Sequence, residues 1–275
     1  IASGAWFGNM DFSATELVNI ARIEGGAGDD QISGSQGDDV IEGGGGADRL
    51  WGNGGNDLFR VTGDSGPDTV NGGDGFDEIR GSDGDDVIRF TLYTGANTVE
   101  RIDGGAGNNR IASGAWFGNM DFSATELVNI ARIEGGAGDD QISGSQGDDV
   151  IEGGGGADRL WGNGGNDLFR VTGDSGPDTV NGGDGFDEIR GSDGDDVIRF
   201  TLYTGANTVE RIDGGAGNNR IASGAWFGNM DFSATELVNI ARIEGGAGDD
   251  QISGSQGDDV ISGGTGADRI AGGRG

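Results

Sequence analysis

The chain has 275 residues, of which 63 are glycine and two are proline, with no cysteine, no histidine and a formal net charge of −31. Glycine does not fall at every third position and proline is almost absent, which excludes collagen; the lack of cysteine excludes a disulfide framework and thiolate chemistry. The polyanionic charge argues against nucleic acid and anionic membrane surfaces as partners, and no stretch approaches the roughly 18 apolar residues of a transmembrane segment.

The chain starts at Ile1 in the middle of a repeating phrase, with no initiator methionine and no visible signal peptide, as expected of a segment of something longer. Residues 1–24 hold a bulky apolar set, Trp6, Phe7, Met10, Phe12, Leu17, Ile20 and Ile23. Within them Ser13–Leu17 (SATEL) has a helix-start character that predicts a single helical turn. From Gly25 four nine-residue phrases run end to end: GGAGDDQIS, GSQGDDVIE, GGGGADRLW and GNGGNDLFR. Further phrases start at Gly63, Gly72, Gly81 and Gly104, with Val61-Thr62 inserted before Gly63 and longer interruptions after Arg89 and Ala112. The interruptions end alike, Val99 and Ile102 matching Ile20 and Ile23, so they are expected to be expanded coils of one solenoid.

The phrase reads Gly-Gly-x-Gly-x-Asp-x-U-x, with U a large apolar residue, and it carries its own chemistry. Glycines allow tight turns with positive φ. The eighth position (Ile32, Ile41, Leu50, Phe59, Val70, Ile79, Ile88 and Ile111) is expected to point inward from very short strands. The sixth-position aspartate offers a hard oxygen ligand on a flexible backbone, which suits calcium. Turn, ion and strand alternating at this period predict an all-β parallel roll. Two phrases make a coil of eighteen residues, so Asp30 faces Asp48 and Asp39 faces Asp57 across adjacent turns, with ions held between carboxylates and turn carbonyls.

The candidate metal ligands are Asp30, Asp39, Asp48, Asp57, Asp68, Asp77 and Asp86, then Asp140, Asp149, Asp158, Asp167, Asp178, Asp187 and Asp196, then Asp250, Asp259 and Asp268. Asx capping of the turns is the plainer role for such aspartates; their repetition at nine-residue phase favours calcium. The fifth-position residues Asp29, Asp38, Asn56 and Asp85 stand either as further ligands or as solvated side chains. Asn109 and Asn219 replace the sixth-position aspartate and predict a weaker or empty site. One apolar residue per phrase is a thin core, which predicts a chain disordered without calcium and folded with it.

A second period lies over the first. Residues 1–110 recur unchanged as 111–220, and 221–261 repeat the opening again before Ser262 replaces the glutamate seen at Glu42 and Glu152. The chain is therefore expected to be one continuous solenoid over 1–275, built of internal repeats 1–110, 111–220 and a partial 221–275.

GGAGDDQIS, GSQGDDVIE and GGDGFDEIR resemble the RTX family of secreted calcium-binding repeats, and LVNIARIEGGAGDD is similar to the segment preceding such runs in large RTX surface proteins. The resemblance covers essentially the whole chain. It implies a right-handed parallel β-roll or β-helix solenoid, export through a type I secretion channel and folding on meeting extracellular calcium. The C-terminal secretion signal of that family is not seen in this sequence.

The copied block points to a structural stalk, filament or adhesin scaffold, with end-to-end or lateral self-association into fibres. The alternative is a secretion and folding module of a toxin or extracellular enzyme whose catalytic domain lies outside this chain. Ice binding would favour threonine rows, whereas one outward face reads Gln31, Ser33, Arg49, Trp51, Thr69 and Asn71. Trp51 and Trp161 offer sugar-stacking rings, for which packing between coils is the commoner role. No enzymatic activity is expected: the chain has no histidine or cysteine, and the carboxylates have a role as metal ligands. The glycine strings around Gly43 lack the long strand and helix of a nucleotide site, and no EF-hand loop occurs.

Overall fold

A computed structural model describes residues 1–3, 8–114, 118–204, 207–224 and 228–273. Trp6 and Phe7 lie outside them. The chain divides into two units, Ile1–Glu134 and Gly135–Gly275, and each is a parallel β-solenoid.

In the first unit one sheet stacks strands Asn9–Asp11, Gln31–Ser33, Arg49–Gly54, Asp64–Asp74, Val87–Phe90, Asn109–Ser113 and Ile130–Ala137. The other stacks Ile23–Ala27, Val40–Gly45, Leu58–Arg60, Glu78–Arg80, Arg101–Asp103 and Glu126–Val128. Both are parallel throughout, because each coil lays its strands directly over those of the coil before. The second unit repeats the arrangement, for example in Arg159–Gly164 over Gln141–Ser143 and Leu168–Arg170 over Val150–Gly155.

Strand register measures the length of each coil. Ile23 lies beside Ile41 and Ile32 beside Leu50, a step of 18 residues. Val61-Thr62 widen the next coil to 20, pairing Leu50 with Val70 and Phe59 with Ile79. The first interruption gives a step of 23, with Ile79 beside Ile102 and Ile88 beside Ile111. The second gives 25 on one sheet, Ile102 beside Leu127, and 22 on the other, Ile111 beside Ile133. The interruptions are thus absorbed as enlarged coils of the same solenoid, with the register shifting by one residue at Asp64–Pro67 and at Asn109–Arg110.

All eight eighth-position residues point inward, none more than 4% exposed. The enlarged coils carry a second, thicker core. Phe90, Tyr93 and Phe122 pack ring against ring, Tyr93 lying 4.7 Å from each neighbour between centroids. The Tyr93 hydroxyl pairs with Thr125 Oγ1 at 2.9 Å, and Thr125 Oγ1 donates to the Val99 carbonyl at 3.0 Å, so the polar tip is satisfied inside the apolar cluster. Phe200, Tyr203, Phe232, Thr235 and Val209 repeat it in the second unit.

The helical turn expected at Ser13–Leu17 is corrected. Asp11 Oδ1 accepts both the Ser13 N–H (3.0 Å) and its hydroxyl (2.6 Å), and Thr15 N donates to Phe12 O at 2.8 Å, closing an Asx-type turn. In its next occurrence the chain leaves this turn directly into strand Glu126–Val128. Among the described residues there is no α-helix, and the 3-10 helix Gly95–Asn97 is a single short turn.

Replacing Ile41 with alanine, at a fully buried position, should lower stability by roughly 2–5 kcal/mol in urea unfolding at saturating calcium. The same change at half-exposed Phe76 should stay within about 0.5 kcal/mol.

Candidate metal centre

Stacking coils at near-constant step puts the sixth-position aspartates in columns, and the backbone binds each column together. Asp30 N–H donates to Asp48 Oδ1 at 2.8 Å, and Asp48 N–H to Asp68 Oδ1 at 3.0 Å. In the second column Asp39 N–H donates to Asp57 Oδ1 and Asp57 N–H to Asp77 Oδ1, both at 2.8 Å. Gly63 N–H reaches Asp86 Oδ1 at 2.5 Å. The second unit repeats the columns: Asp140 to Asp158 to Asp178, Asp149 to Asp167 to Asp187, Gly173 to Asp196, and Asp250 to Asp268. The structure therefore brings together the pairs that the eighteen-residue spacing matched. All are buried except Asp259 and Asp268, which are half-buried.

One oxygen of each carboxylate is spent on this ladder; the other decides the chemistry. Oδ2 of Asp30, Asp48, Asp57, Asp77, Asp158, Asp167, Asp187 and Asp250 is buried without a hydrogen-bond partner. A buried, unpaired anionic oxygen is among the costliest groups a fold can hold. These oxygens converge with backbone carbonyls on space kept clear by the first glycine of the phrase. A Cβ on Gly52 would stand 2.0 Å from Asp57 Oδ2 and 2.4 Å from Gly72 O. On Gly25 it would stand 2.5 Å from Asp30 Oδ2 and 2.4 Å from Gly43 O, and on Gly182 2.1 Å from Asp187 Oδ2 and 2.2 Å from Thr208 O. Hard oxygens of two kinds, one bearing uncompensated charge, suit calcium. Among the described residues no three carboxylates gather closely enough to hold a metal by themselves. Carbonyls of the adjacent coil would therefore supply most of the shell. Calcium bound there would supply the positive charge that the unpaired oxygens lack and a tie between successive coils.

The second residue of the phrase determines which aspartates are left needing this charge. At Gly26, Gly44, Asn53 and Gly73 the second residue has positive φ (+109°, +106°, +81° and +116°), and Oδ2 of the following Asp30, Asp48, Asp57 and Asp77 has no hydrogen-bond partner. Where it is serine, the turn changes. Ser35 donates its N–H (2.6 Å) and hydroxyl (2.9 Å) to Asp39 Oδ2, and Ser82 donates likewise to Asp86 Oδ2 (2.6 and 3.0 Å). Ser145, Ser192 and Ser255 do the same for Asp149, Asp196 and Asp259. Asp68 and Asp178 also differ: the hydroxyls of Ser65 and Ser175 donate to the carbonyls of Gly66 and Gly176 (2.9 and 3.0 Å), and Gly63 and Gly173 open onto empty space.

The fifth-position residues have a structural task. Their Oδ1 accepts an N–H from the next coil at the exposed rim: Ala47 to Asp29 (2.8 Å), Asn56 to Asp38 (2.7 Å), Phe76 to Asn56 (2.8 Å) and Asn108 to Asp85 (2.8 Å). An acceptor oxygen suffices there, so Asp and Asn both serve, while Ala47, Pro67 and Phe76 hold the same place in other phrases without one. Sequence reasoning missed Glu100 and Glu210, which lie in an interruption outside the nonapeptide phase. Their Oε2 accepts the N–H of Asp77 (2.7 Å) and Asp187 (2.8 Å), continuing the column where no sixth-position aspartate follows.

Burial raises the carboxyl of Asp48 from 3.8 to about 6, that of Asp57 to about 7 and that of Asp68 to about 8, with neighbouring aspartates adding to the rise. A folded-state pKa raised above the unfolded value means that the metal-free folded chain binds the extra protons. That stabilisation is complete at acid pH and is lost as pH climbs through about 6 to 8. Calcium bound at these oxygens would therefore compete with protons.

Fold and turns together define a calcium-binding repeat solenoid. The RTX calcium-binding nonapeptide repeat model matches residues 24–59, 62–90, 94–115, 134–169, 172–200, 204–225 and 244–275, and the chain belongs to that family. No curated protein matches the chain.

Gly52→Ala should abolish binding at the Asp57 turn, read as lost calcium stoichiometry in calorimetry, whereas Gly45→Ala, with nothing within 4 Å of its Cβ, should bind as before. In excess chelator, β-type circular dichroism should grow on acidification from pH 8 to pH 5, and the calcium midpoint should fall as pH rises; a midpoint independent of pH would contradict the shared role of these oxygens.

Proposed function

We propose that this chain is an extracellular structural scaffold, a stalk, filament or adhesin segment of a secreted bacterial protein, which folds when it meets calcium. The observation that carries this reading is the unchanged 110-residue copy, which yields the same run of strands from Gln31–Ser33 to Asn109–Ser113 and again from Gln141–Ser143 to Asn219–Ser223. Copying one unit adds length and calcium sites but no new chemistry, as a spacer requires. The sixth-position aspartates named above are the ligands, those of the glycine-type turns with unpaired Oδ2 foremost.

Several features support an extracellular setting and export in the manner of type I-secreted RTX proteins. A chain of net charge −31 with unpaired buried carboxylates stays expanded where calcium is scarce and is threadable through a channel. It gains its fold where calcium is plentiful. The chain has no cysteine, so the ion takes the place of a disulfide as cross-link. No helix of the described residues is long and apolar enough to cross a membrane. Repeating edges and identical units favour self-association along the solenoid direction, and the buried carboxylates serve structure in preference to catalysis.

Chelation should sharply reduce β-type circular dichroism, with coil signal replacing the strands of the glycine-type turns, and calcium should restore it; an unchanged spectrum in excess chelator would sink the folding role. Adding a further 110-residue copy after Arg220 should lengthen the particle in calcium, read as maximum dimension in X-ray scattering. A particle of constant length would overturn the spacer reading.

A further inference from the structure

The unpaired carboxylate oxygens are not spread evenly. Among the described residues from Glu78 to Glu134, no buried carboxylate oxygen lacks a partner, and the same holds from Glu188 to Glu244. The enlarged coils fill this stretch, and each place where an ion would be expected is closed by a side chain.

Asn109 is the centre of it. Its Oδ1 accepts the Asp86 N–H at 2.9 Å, as an aspartate would. Its Nδ2 occupies the place of the unpaired oxygen, 2.7 Å from a Cβ built on Gly104, with Asn129 O at 2.5 Å from the same point. That amide donates to Ala106 O at 3.1 Å and Asn129 O at 3.2 Å, so hydrogen bonds tie two coils where a cation otherwise would. Asn219 repeats the set on Ala216 O and Asn239 O. Asn97 closes the neighbouring turn, its Oδ1 accepting the Thr94 N–H at 2.7 Å and its amide donating to Val70 O. Ser82 already satisfies Asp86 on the adjoining coil. Beneath these clasps lies the Phe90–Tyr93–Phe122 cluster, all below 2% exposed, the largest apolar mass in the unit.

We propose that each repeat contains a calcium-independent core, spanning the enlarged coils between Gly81 and Ile133 and again between Gly191 and Ile243. The asparagine clasp and aromatic cluster hold this core without metal. The glycine-type turns on either side stack onto it as calcium arrives. A metal-free coil must satisfy its buried carboxylates from the protein itself, and among the described residues this stretch does so alongside a thick apolar core; its buried Arg101 Nε and Arg110 Nε, which make no hydrogen bond, lie 3.6 and 3.1 Å from the carboxylates of Glu126 and Glu134. The inference rests on reading the remaining turns as calcium-dependent.

Hydrogen–deuterium exchange of the full chain tests it. In excess chelator, amides of Arg101–Asp103, Asn109–Ser113 and their second-unit copies should exchange roughly 100-fold more slowly than those of Ile23–Ala27 and Val40–Gly45. Calcium should bring all four strands to similar protection. In Asn109→Asp/Asn219→Asp, an oxygen replaces the donating amide, so protection in chelator should vanish and return with calcium. Uniform exchange along the chain in chelator, restored everywhere by calcium, would overturn the core while leaving the calcium-binding repeat intact. Chelator-stable protection unaffected by the aspartate variant would overturn the clasp. Protection indifferent to calcium throughout would overturn the calcium-dependent reading beneath both.

Discussion

The unpaired oxygen of a buried carboxylate governs this molecule. A sixth-position aspartate gives one oxygen to the backbone of the coil below it, which fixes coil on coil, and thereby carries the other into the interior beside carbonyls of the same sign. Among the described residues the arginines that form ion pairs do so with glutamates and aspartates outside these turns, as Arg22–Glu24, Arg80–Glu78 and Arg110–Glu134 do. The strand ladder and the thin line of inward side chains follow only once those oxygens are matched by positive charge. On the proposed reading, folding and calcium binding are for these turns one event.

Glycine is the counterpart of that constraint. Its first position in the phrase leaves room for two oxygens that any side chain would displace, and its second position takes a positive φ that aims the turn. At Gly44 both demands coincide, since a Cβ would lie 1.9 Å from Gly26 O. High glycine content, which in composition alone looks like disorder, is the steric condition for a close-stacked turn. The exposed pairs Arg80–Glu78 and Arg89–Asp64 add little by comparison, being open to solvent screening.

Much of this was legible from residue spacing. The period of nine placed the eighth-position side chains from Ile32 to Ile111 inward, and the doubled period matched Asp30 with Asp48 and Asp39 with Asp57, because a solenoid converts sequence spacing directly into neighbourhood; Ile270, in the last phrase, is exposed. What was not legible depends on hydrogen bonding between residues out of phase. Ser35 and Gly26 occupy the same place in the phrase, yet one satisfies its aspartate and the other abandons it, a difference that appears only when the turn's φ angles are known. Glu100 joins the carboxylate column from an interruption with no repeat phase to announce it. SATEL had the composition of a helix start, but Asp11 three residues before Ala14 bent the chain into an Asx turn first.

The 110-residue block then reads as a division of labour that a uniform run of nonapeptides could not make. A solenoid built only of glycine-type turns would have no coil able to stand without metal, so each coil would need its neighbour and its ion at once, a costly start for a cooperative stack. A stretch in which Asn109 replaces the ion and Tyr93 fills the interior separates the two requirements. Repeating the whole block, and not the nonapeptide alone, places one such stretch in every copy. On this reasoning the block, with its asparagine clasp and aromatic coil, is the smallest unit whose duplication preserves both calcium dependence and a place for folding to begin.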